Sequence, residues 1–395
     1  MSEQRLHEQT VELTRDLIRA QSLSGEEKEA AGVLAQAMER LGFHKVRTDR
    51  LGNVVGTIKG NRPGPKVLFD GHMDTVPVPD PAPWTHDPFG GEIENGRLYG
   101  RGASDMKGAL AAMTTAAALF AARTGGDFGG EVVVAGVCHE EIFEGIAARE
   151  ISAAEKPDVV VIGEASELNL KIGQRGRAEV VIETRGVPAH SASPEKGVNA
   201  VLKMAALLTR LEQTPPASHP VLGQGISVCT DILSTPYPGA SVVPSLCRAT
   251  FDRRILVGED QRAVLAPFEA AIAELAAVDP SFSATAAFAR ASASCWTGAT
   301  IEGERFFPAW LYPQDSDFVQ KALAGLRGAG LSPAISHYAF CTNGSHYAGE
   351  AGIPTIGFGP SLETLAHTID EYIEIEQLRL GMLGYAGIMS GLLGA

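Results

Sequence analysis

The sequence has 395 residues, of which 45% are hydrophobic, and its 47 acidic and 33 basic side chains give a formal net charge of -14. A chain of this length usually forms two domains. Its negative charge repels nucleic acids and anionic membrane surfaces, so we expect neither as a partner and predict a small-molecule substrate.

The N-terminal segment predicts an amphipathic helix with Val11, Leu13, Leu17 and Ile18 on one side, and it lacks the features of a signal peptide. The longest apolar run, about residues 109 to 122, is shorter than the ~20 residues of a membrane span. The five cysteines are widely spaced and contain no C-x-x-C pair. We therefore expect a soluble protein of the reducing cytoplasm.

Short apolar runs that alternate with helical patterns predict a mostly parallel sheet covered by helices on both faces, which is an α/β fold. One such helix covers about residues 106 to 123, and an amphipathic helix of about residues 376 to 393 follows the last strand. The predicted strands lie at residues 66–70, 131–138, 158–163 and 354–359.

The middle of the chain has a different order of elements. From Arg177 we predict strand, helix, strand, strand, helix and strand, which is the order of a ferredoxin-like α+β unit. The sequence therefore predicts an inserted domain of residues 177–292 within a domain formed by residues 1–176 and 293–395.

His72 comes directly after the first of these strands, in GHMDTVP at residues 71–77. In open α/β sheets, ligands bind at the carboxyl ends of the strands. Asp74 would point the same way as His72 in extended chain, so its carboxylate could accept a hydrogen bond from the ring nitrogen that does not bind a metal. Considered alone, His72 is more often a loop histidine that caps a turn.

Asp105 lies in GRGASDMKG at residues 100–108, at the start of a predicted helix. An aspartate in this position is most often a helix N-cap. The glycines do not form a dinucleotide-binding fingerprint, since the third glycine is missing.

Glu140 and Glu141 are adjacent carboxylates in CHEEIFEG at residues 138–145, after another buried strand. Neighbouring residues point to opposite sides, so one could bind a metal while the other faces a water on that metal. Phe143 excludes an H-E-x-x-H motif, and a solvated acidic turn is the alternative.

Two further residues complete a possible metal site. Glu164 ends the strand of residues 158–163, and His367 lies in LAHTIDEYIE, a polar loop after the last strand. Together with His72, Asp105 and Glu141 they give two histidines and three carboxylates at one edge of the sheet. Five nitrogen and oxygen ligands are suited to two divalent ions.

The ordered motifs GHMDTVP, GRGASDMKG, HEE, GEAS and AHTIDEY, with GVPAHSASPEKGVNA between them, cover nearly the whole chain. They resemble the family of acetylornithine deacetylase, succinyl-diaminopimelate desuccinylase, aminoacylase and glutamate carboxypeptidase. The segments CTNGSHYAGEAGIPTIGFGPS and ATFDRRIL are most similar to a branch of hydrolases linked to selenium metabolism.

The resemblance implies a di-zinc exopeptidase-like fold that holds two divalent ions, zinc first, with cobalt and manganese as alternatives. It implies that Asp105 bridges the ions, that His72 and Glu164 complete one site, and that Glu141 and His367 complete the other. It also implies that Glu140 is the general base and that Asp74 supports the histidine ligand.

The resemblance further implies that the inserted domain forms a homodimer and that His190 stabilises the oxyanion in the neighbouring subunit. From the residues alone, His190 is an ordinary polar turn residue. Arg254 and Asn199 are candidate substrate contacts, but an ion pair and a helix cap are equally compatible with them.

Two departures from the family pattern affect substrate choice. Ser241 stands where relatives often carry asparagine, and Asn343 stands where many carry aspartate. We count Asn343 as a candidate substrate contact.

We therefore predict a two-metal amidohydrolase that cleaves an N-acyl amino acid, with Arg254 binding the free carboxylate. A dipeptidase or carboxypeptidase, or an N-carbamoyl amino acid hydrolase, is the alternative. A serine hydrolase is less favoured because neither Ser104 nor Ser345 lies in G-x-S-x-G. A non-catalytic metal-binding protein is disfavoured by Glu140, which no ligand scheme requires.

Overall fold

The computed structural model describes residues 2–394, which divide into two compact units. The first unit comprises the chain up to Gln174, the segment Ser292–Glu302 and the chain from Leu311 onward, and the second comprises Arg175–Ala291 and Gly303–Trp310. Within residues 2–394, no helix combines the length and the apolar character needed to cross a membrane.

The second unit differs from the predicted inserted domain of residues 177–292 by one or two residues at the ends and, more substantially, by one added segment. The segment Gly303–Trp310 belongs to the second unit, whereas the sequence placed it in the first. The physical reason is that the short strand Phe306–Phe307 pairs with the strand Gly176–Arg185 of the second unit.

The first unit is a mixed, largely parallel sheet with helices, as the α/β prediction required. From edge to edge its strands are Lys45–Thr48, Val54–Lys59, Gly129–Val137, Arg62–His72, Val159–Ile162, Thr355–Gly357, Leu170–Gln174 and Trp310–Leu311, with Ile335–Tyr338 also paired to Leu170–Gln174. The strand Trp310–Leu311 begins at the last residue of the second unit and continues into the first. The three strands around Arg62–His72 are parallel to each other. Its α-helices are Glu3–Arg19, Lys28–Arg40, Gly108–Thr124, Ala148–Glu155, Asp317–Gly328 and Ile375–Leu393.

The helix Gly108–Thr124 is buried along nearly its whole length. It packs between the helices Glu3–Arg19 and Ile375–Leu393 and against the sheet. Because it is covered on several sides, its sequence shows almost no polar face, which a helix at a protein surface would need.

A small antiparallel sheet connects two loops of the first unit. Its strands are Glu92–Glu94, Arg97–Tyr99 and Tyr372–Glu374, and Tyr99 pairs with Tyr372. A separate two-stranded sheet joins Arg290–Ser294 to Thr300–Glu304. The pairing of Tyr99 with Tyr372 holds the residues just after Tyr99 beside those just before Tyr372.

The second unit has the ferredoxin-like order of elements that the sequence predicts. In chain order its main elements are the strand Gly176–Arg185, the helix Ala200–Glu212, the strands Ile226–Thr235 and Leu246–Ile255, the helix Gln261–Val278 and the strand Ser283–Phe288. The strand Gly176–Arg185 lies between Leu246–Ile255 and Ser283–Phe288 and is antiparallel to both. The strand Ile226–Thr235 pairs with the other side of Leu246–Ile255. The short pair Ser218–His219 and Gly223–Gln224 completes the unit.

Candidate metal centre

The carboxyl ends of three parallel strands meet in the first unit. His72 pairs in register with Val137, and Asp70 pairs with Ile162. The residues that follow these strands, Glu140, Glu141 and Glu164, therefore emerge at the same edge of the sheet as His72.

The ring of His72 is buried and contacts two carboxylates. Its Nε2 atom lies 3.0 Å from Asp105 Oδ1 and 3.5 Å from Glu164 Oε1. Its Nδ1 atom donates a hydrogen bond of 2.8 Å to the backbone carbonyl of Asp74. Because Nδ1 donates to this carbonyl, the neutral form of the ring has its lone pair on Nε2, where it is available to a metal ion.

Asp74 differs in detail from the sequence prediction. Its carboxylate Oδ1 lies 3.8 Å from His72 Nδ1, which is too far for a hydrogen bond, and the backbone carbonyl of Asp74 serves instead. The carboxylate accepts hydrogen bonds from the backbone amides of Glu140 at 3.0 Å and Glu141 at 3.1 Å, and from Ser24 Oγ at 2.6 Å. Asp74 therefore supports the histidine with its main chain and the adjacent glutamates with its side chain.

A second histidine contacts the other oxygen of Asp105. His367 Nε2 lies 3.1 Å from Asp105 Oδ2 and 3.1 Å from Glu141 Oε2. Since His72 faces Oδ1, Asp105 offers one oxygen to each of the two histidines, which is the geometry of a carboxylate that can bridge two ions.

The N-cap interpretation of Asp105 does not hold. The helix begins at Gly108, and Lys107 rather than Asp105 occupies the cap position. The backbone of Asp105 is extended, with φ -122° and ψ 90°. Its side chain is directed to the two histidines instead of to the first amides of the helix.

The carboxylates of this centre have strongly altered acidity. Burial, followed by the charge of Asp105, raises the pKa of Glu141 to about 7, and burial also raises the pKa values of Glu140 and Glu164 well above their usual range. Burial acts in the same direction on Asp105, but hydrogen bonds from His367 and His72 outweigh it and lower its pKa. Hydrogen bonds to Asp105 and Glu141 raise the pKa of His367 to about 10.

These shifts reflect four carboxylates, two of them buried and two partly buried, gathered around two histidines, an arrangement that is costly without a cation. Ligand atoms of His72, Asp105 and Glu141 all lie within 4.8 Å of one another, and so do those of His72, Glu140 and Glu164. Glu141 Oε1 is buried and has no hydrogen-bond partner among the described residues. The donor set and this oxygen fit divalent cations with nitrogen and oxygen preferences.

Glu371 is a component of the centre to which the sequence assigned no role. Its carboxylate is fully buried and accepts a hydrogen bond from Arg101 Nη1 at 2.6 Å. It also accepts the backbone amides of Gly102, Ser104 and Asp105 at 3.1, 2.8 and 3.0 Å. Glu371 therefore fixes the loop that carries Asp105, and it lies four residues after His367. The only signal in the sequence was the adjacent acidic pair Asp370 and Glu371 within AHTIDEY.

The structure places Asn343 in a buried network. Its Nδ2 donates to Asp70 Oδ1 at 2.9 Å, its Oδ1 accepts the amide of Gly145 at 2.7 Å, and the residue is 2% exposed. Tyr347 donates a second hydrogen bond to Asp70. This is a correction to the prediction of a substrate contact, because both polar ends of the Asn343 side chain connect elements of the protein.

The second unit contains the two candidate substrate contacts Asn199 and Arg254, and also His190, the candidate oxyanion donor. Asn199 caps the helix Ala200–Glu212 and accepts the amides of Val201 and Leu202 at 2.9 and 3.3 Å, which is the structural alternative that the sequence left open. Arg254 Nε lies 3.1 Å from Asp252 Oδ1, and its side chain keeps 31% of its surface exposed.

His190 is exposed and its loop is held by the backbone. Its Nδ1 accepts the amide of Ala192 at 3.0 Å, and the loop forms a β-bridge to Val242. The carbonyl of Ser241 accepts the amide of Ser191 at 3.0 Å. With Nδ1 as an acceptor, the neutral His190 ring carries its proton on Nε2 and can donate it.

Comparisons with known proteins identify the family of this chain. The sequence model of Peptidase family M20/M25/M40 matches residues 68–390. The protein YgeY of Escherichia coli (strain K12) is 32% identical over 369 residues, covering 90% of this chain and 88% of that protein. The succinyl-diaminopimelate desuccinylase of Cereibacter sphaeroides (strain ATCC 17025 / ATH 2.4.3) is 32% identical over 386 residues, covering 93% of this chain and 94% of the enzyme.

Among solved structures, YXEP of Bacillus subtilis, described as a dinuclear metal binding peptidase from the M20 family, has the same fold. It aligns with a TM-score of 0.74 over 99% of both chains, at 15% sequence identity.

Proposed function

The chain belongs to Peptidase family M20/M25/M40, and on this premise we propose that it hydrolyses the amide bond of an N-acyl amino acid with the help of two zinc ions. Family membership makes it a metallo-hydrolase that acts on amides, and it confirms the family resemblance of the motifs. The number and identity of the metal ions, the roles of individual residues and the substrate are our proposals.

The observation that carries the two-metal proposal is the position of Asp105 between the two histidines. His72, Glu164 and Asp105 Oδ1 would hold one ion, and His367, Glu141 and Asp105 Oδ2 would hold the other. Two divalent ions bound there would polarise the scissile carbonyl and lower the pKa of a water ligand from ~15.7 toward about 7. Zinc is our first choice, with cobalt and manganese as alternatives.

Glu140 is the proposed general base. It is buried beside His72 and Glu164, and its backbone amide is fixed by Asp74, yet neither proposed ion needs it as a ligand. In our mechanism its carboxylate takes a proton from the attacking water and passes it to the nitrogen of the leaving amine. His190, with its proton on Nε2, is the proposed donor to the oxyanion.

The proposed substrate is an N-acyl amino acid whose free carboxylate pairs with Arg254. The Arg254 side chain is partly exposed, which is compatible with binding a substrate carboxylate, although Asp252 already pairs with its Nε atom. A dipeptide and an N-carbamoyl amino acid are the alternatives.

A substrate panel tests this proposal. Purified protein loaded with zinc, cobalt or manganese should release amine from N-acyl amino acids, and a chelator should abolish the activity while a serine-directed inhibitor leaves it intact. Each N-acyl amino acid is matched by its amide derivative, which lacks the free carboxylate and should be a poorer substrate. Turnover of dipeptides or N-carbamoyl amino acids alone would replace our substrate assignment, and activity that survives complete metal removal would contradict the mechanism.

We also propose a homodimer formed by the second unit. The strand Ile226–Thr235 is the edge of its sheet, and it exposes Val228, Ile232 and Leu233 by 50%, 52% and 56%. The helices of this unit pack against the other three strands. An exposed apolar edge strand of ten residues is suited to pairing with a second copy.

Substitution of Ile232 by aspartate should therefore convert the dimer to a monomer, which sedimentation velocity would detect. The control is Val278→Asp, at an apolar position that is 80% exposed at the end of a helix and should leave the dimer intact. If Ile232→Asp sediments as the unmodified protein does, the edge strand is not the surface that forms a dimer.

If His190 acts across the dimer, mixing inactive His190→Ala with inactive Glu140→Gln chains should restore activity, because one site of each mixed dimer has both residues intact.

A further inference from the structure

The turn that carries Glu140 and Glu141 is held by an unusual set of hydrogen bonds. Four consecutive backbone amides, those of residues 138 to 141, each donate to a side-chain oxygen. Cys138 donates to Asn53 Oδ1 at 2.9 Å and His139 donates to Glu27 Oε1 at 3.0 Å. Glu140 and Glu141 donate to the two oxygens of Asp74, as described above.

This turn needs such support because its backbone leaves the strand sharply. The strand Gly129–Val137 ends one residue before Cys138, and His139 has φ +58°. A left-handed conformation is unfavourable for a residue other than glycine and persists only where surrounding contacts determine it. The contact on the His139 amide itself is therefore the one that most directly keeps the turn in place.

Glu27 provides that contact at a cost. The residue is fully buried, and its Oε1 accepts a second hydrogen bond from the amide of Gly25 at 2.9 Å. Burial, followed by the charge of Asp74, raises its pKa to about 7. The start of the helix Lys28–Arg40, which immediately follows Glu27, offsets part of this cost, because a helix N-terminus favours negative charge. A buried carboxylate beside another carboxylate is a poor choice for stability alone.

We propose that Glu27 is a positioning residue, which acts through the amide of His139 to aim Glu140 at the attacking water and Glu141 at its metal ion. The proposal rests on the proposed roles of Glu140 and Glu141. Asp74 holds the two glutamates directly, whereas Glu27 holds the left-handed residue before them. The two side chains together fix the end of the strand and the direction in which both glutamates point.

The role of Glu27 depends on its acceptor oxygen, which a glutamine side chain also provides. Glu27→Ala should lower kcat by about 10- to 100-fold with little change in KM, and it should weaken binding of one of two cobalt ions by a similar factor. Glu27→Gln should restore most of both losses. The control is Asp158→Ala, which removes an exposed carboxylate that accepts the amide of Lys66 at 2.7 Å near the opposite end of the His72 strand.

Three measurements make the test decisive. Cobalt binding is followed by absorption spectroscopy, kcat and KM are determined with the best N-acyl amino acid of the panel, and thermal unfolding reports stability. Loss of kcat in Glu27→Ala at a temperature where the variant is fully folded, with recovery in Glu27→Gln, supports the proposal. Unchanged kcat and cobalt affinity in folded Glu27→Ala overturns it, and so does a Glu27→Gln variant as impaired as Glu27→Ala.

The outcome can be separated from a failure of the proposed function. Glu140→Gln is measured in the same assay, and if that variant keeps its activity the assigned base is wrong whatever the Glu27 variants do. The cobalt titration still tests Glu27 in that case, because it depends on the position of Glu141 and not on turnover.

Discussion

Glu140→Gln should lower kcat by about 10²- to 10⁴-fold while leaving the content of bound metal unchanged. General acid-base catalysis commonly contributes an effect of this size. Glutamine keeps the shape of the side chain and the backbone bond to Asp74, but it cannot take a proton from water. Single-turnover kinetics and elemental analysis of the same preparation measure the two quantities together.

The control is Glu150→Gln, a partly exposed glutamate on the helix Ala148–Glu155 that belongs to neither proposed group of ligands. It should retain activity within a few-fold of the unmodified protein. Substantial turnover by Glu140→Gln would exclude it as the base. Loss of metal from Glu140→Gln would instead show that Glu140 is a metal ligand. Its position allows this alternative, because ligand atoms of Glu140, His72 and Glu164 lie within 4.8 Å of one another.

Asp105→Ala should lower metal binding as well as turnover, because it removes one ligand from each proposed ion. We expect fewer than two ions per chain and a loss of kcat of more than about 100-fold, beyond what is usual when only a supporting residue of a metal ligand is changed. Both histidines lose the carboxylate that lies 3.0 or 3.1 Å away. Isothermal titration with zinc gives the stoichiometry directly.

An exposed aspartate provides the comparison for this variant. Asp127 pairs with Arg62 at 3.2 Å on the surface, so Asp127→Ala should bind two ions and remain active. Two tightly bound ions in Asp105→Ala would show that Asp105 does not bridge them. A normal unfolding transition in both proteins is required, so that loss of metal reports the missing ligand and not a misfolded chain.

The sequence identified the edge of the sheet at which the centre lies. The apolar runs at residues 66–70, 131–138 and 158–163 predicted the buried parts of the strands Arg62–His72, Gly129–Val137 and Val159–Ile162, although the exposed start of the first strand was not predicted. Residues that follow parallel strands must emerge at one edge, which is why His72 and Glu164 could be placed together. The order of strands and helices in the second unit was also predicted, although strands such as Gly176–Arg185 alternate between buried and more exposed positions.

The supporting carboxylates were not predictable in this way. Glu27 and Glu371 reach the centre from a helix start and a loop, and the local pattern around them is that of ordinary surface acids. Their burial depends on contacts with residues far away in the chain, which periodicity does not report. Asn343 was predicted as a substrate contact because of its position in the motif. The sequence around it does not show that its side chain is bonded to Asp70 and to the amide of Gly145.

The strand pairing of Phe306–Phe307 had no usable signal either. Two residues are too few to show an alternating pattern, so the segment Gly303–Trp310 was placed in the wrong unit.

The two halves of the centre differ in how far apart along the chain their residues lie. His72 and Asp105 are separated by 33 positions, whereas Glu141 and His367 are separated by 226. Closing the longer loop costs more entropy, and distant contacts tend to form late in folding. The half that contains His72 can therefore assemble early, while the His367 half must wait until the final segment has docked. An ion bound between Glu141 and His367 would act as a cross-link over the longer loop, and its loss should make that closing segment the first part of the fold to open.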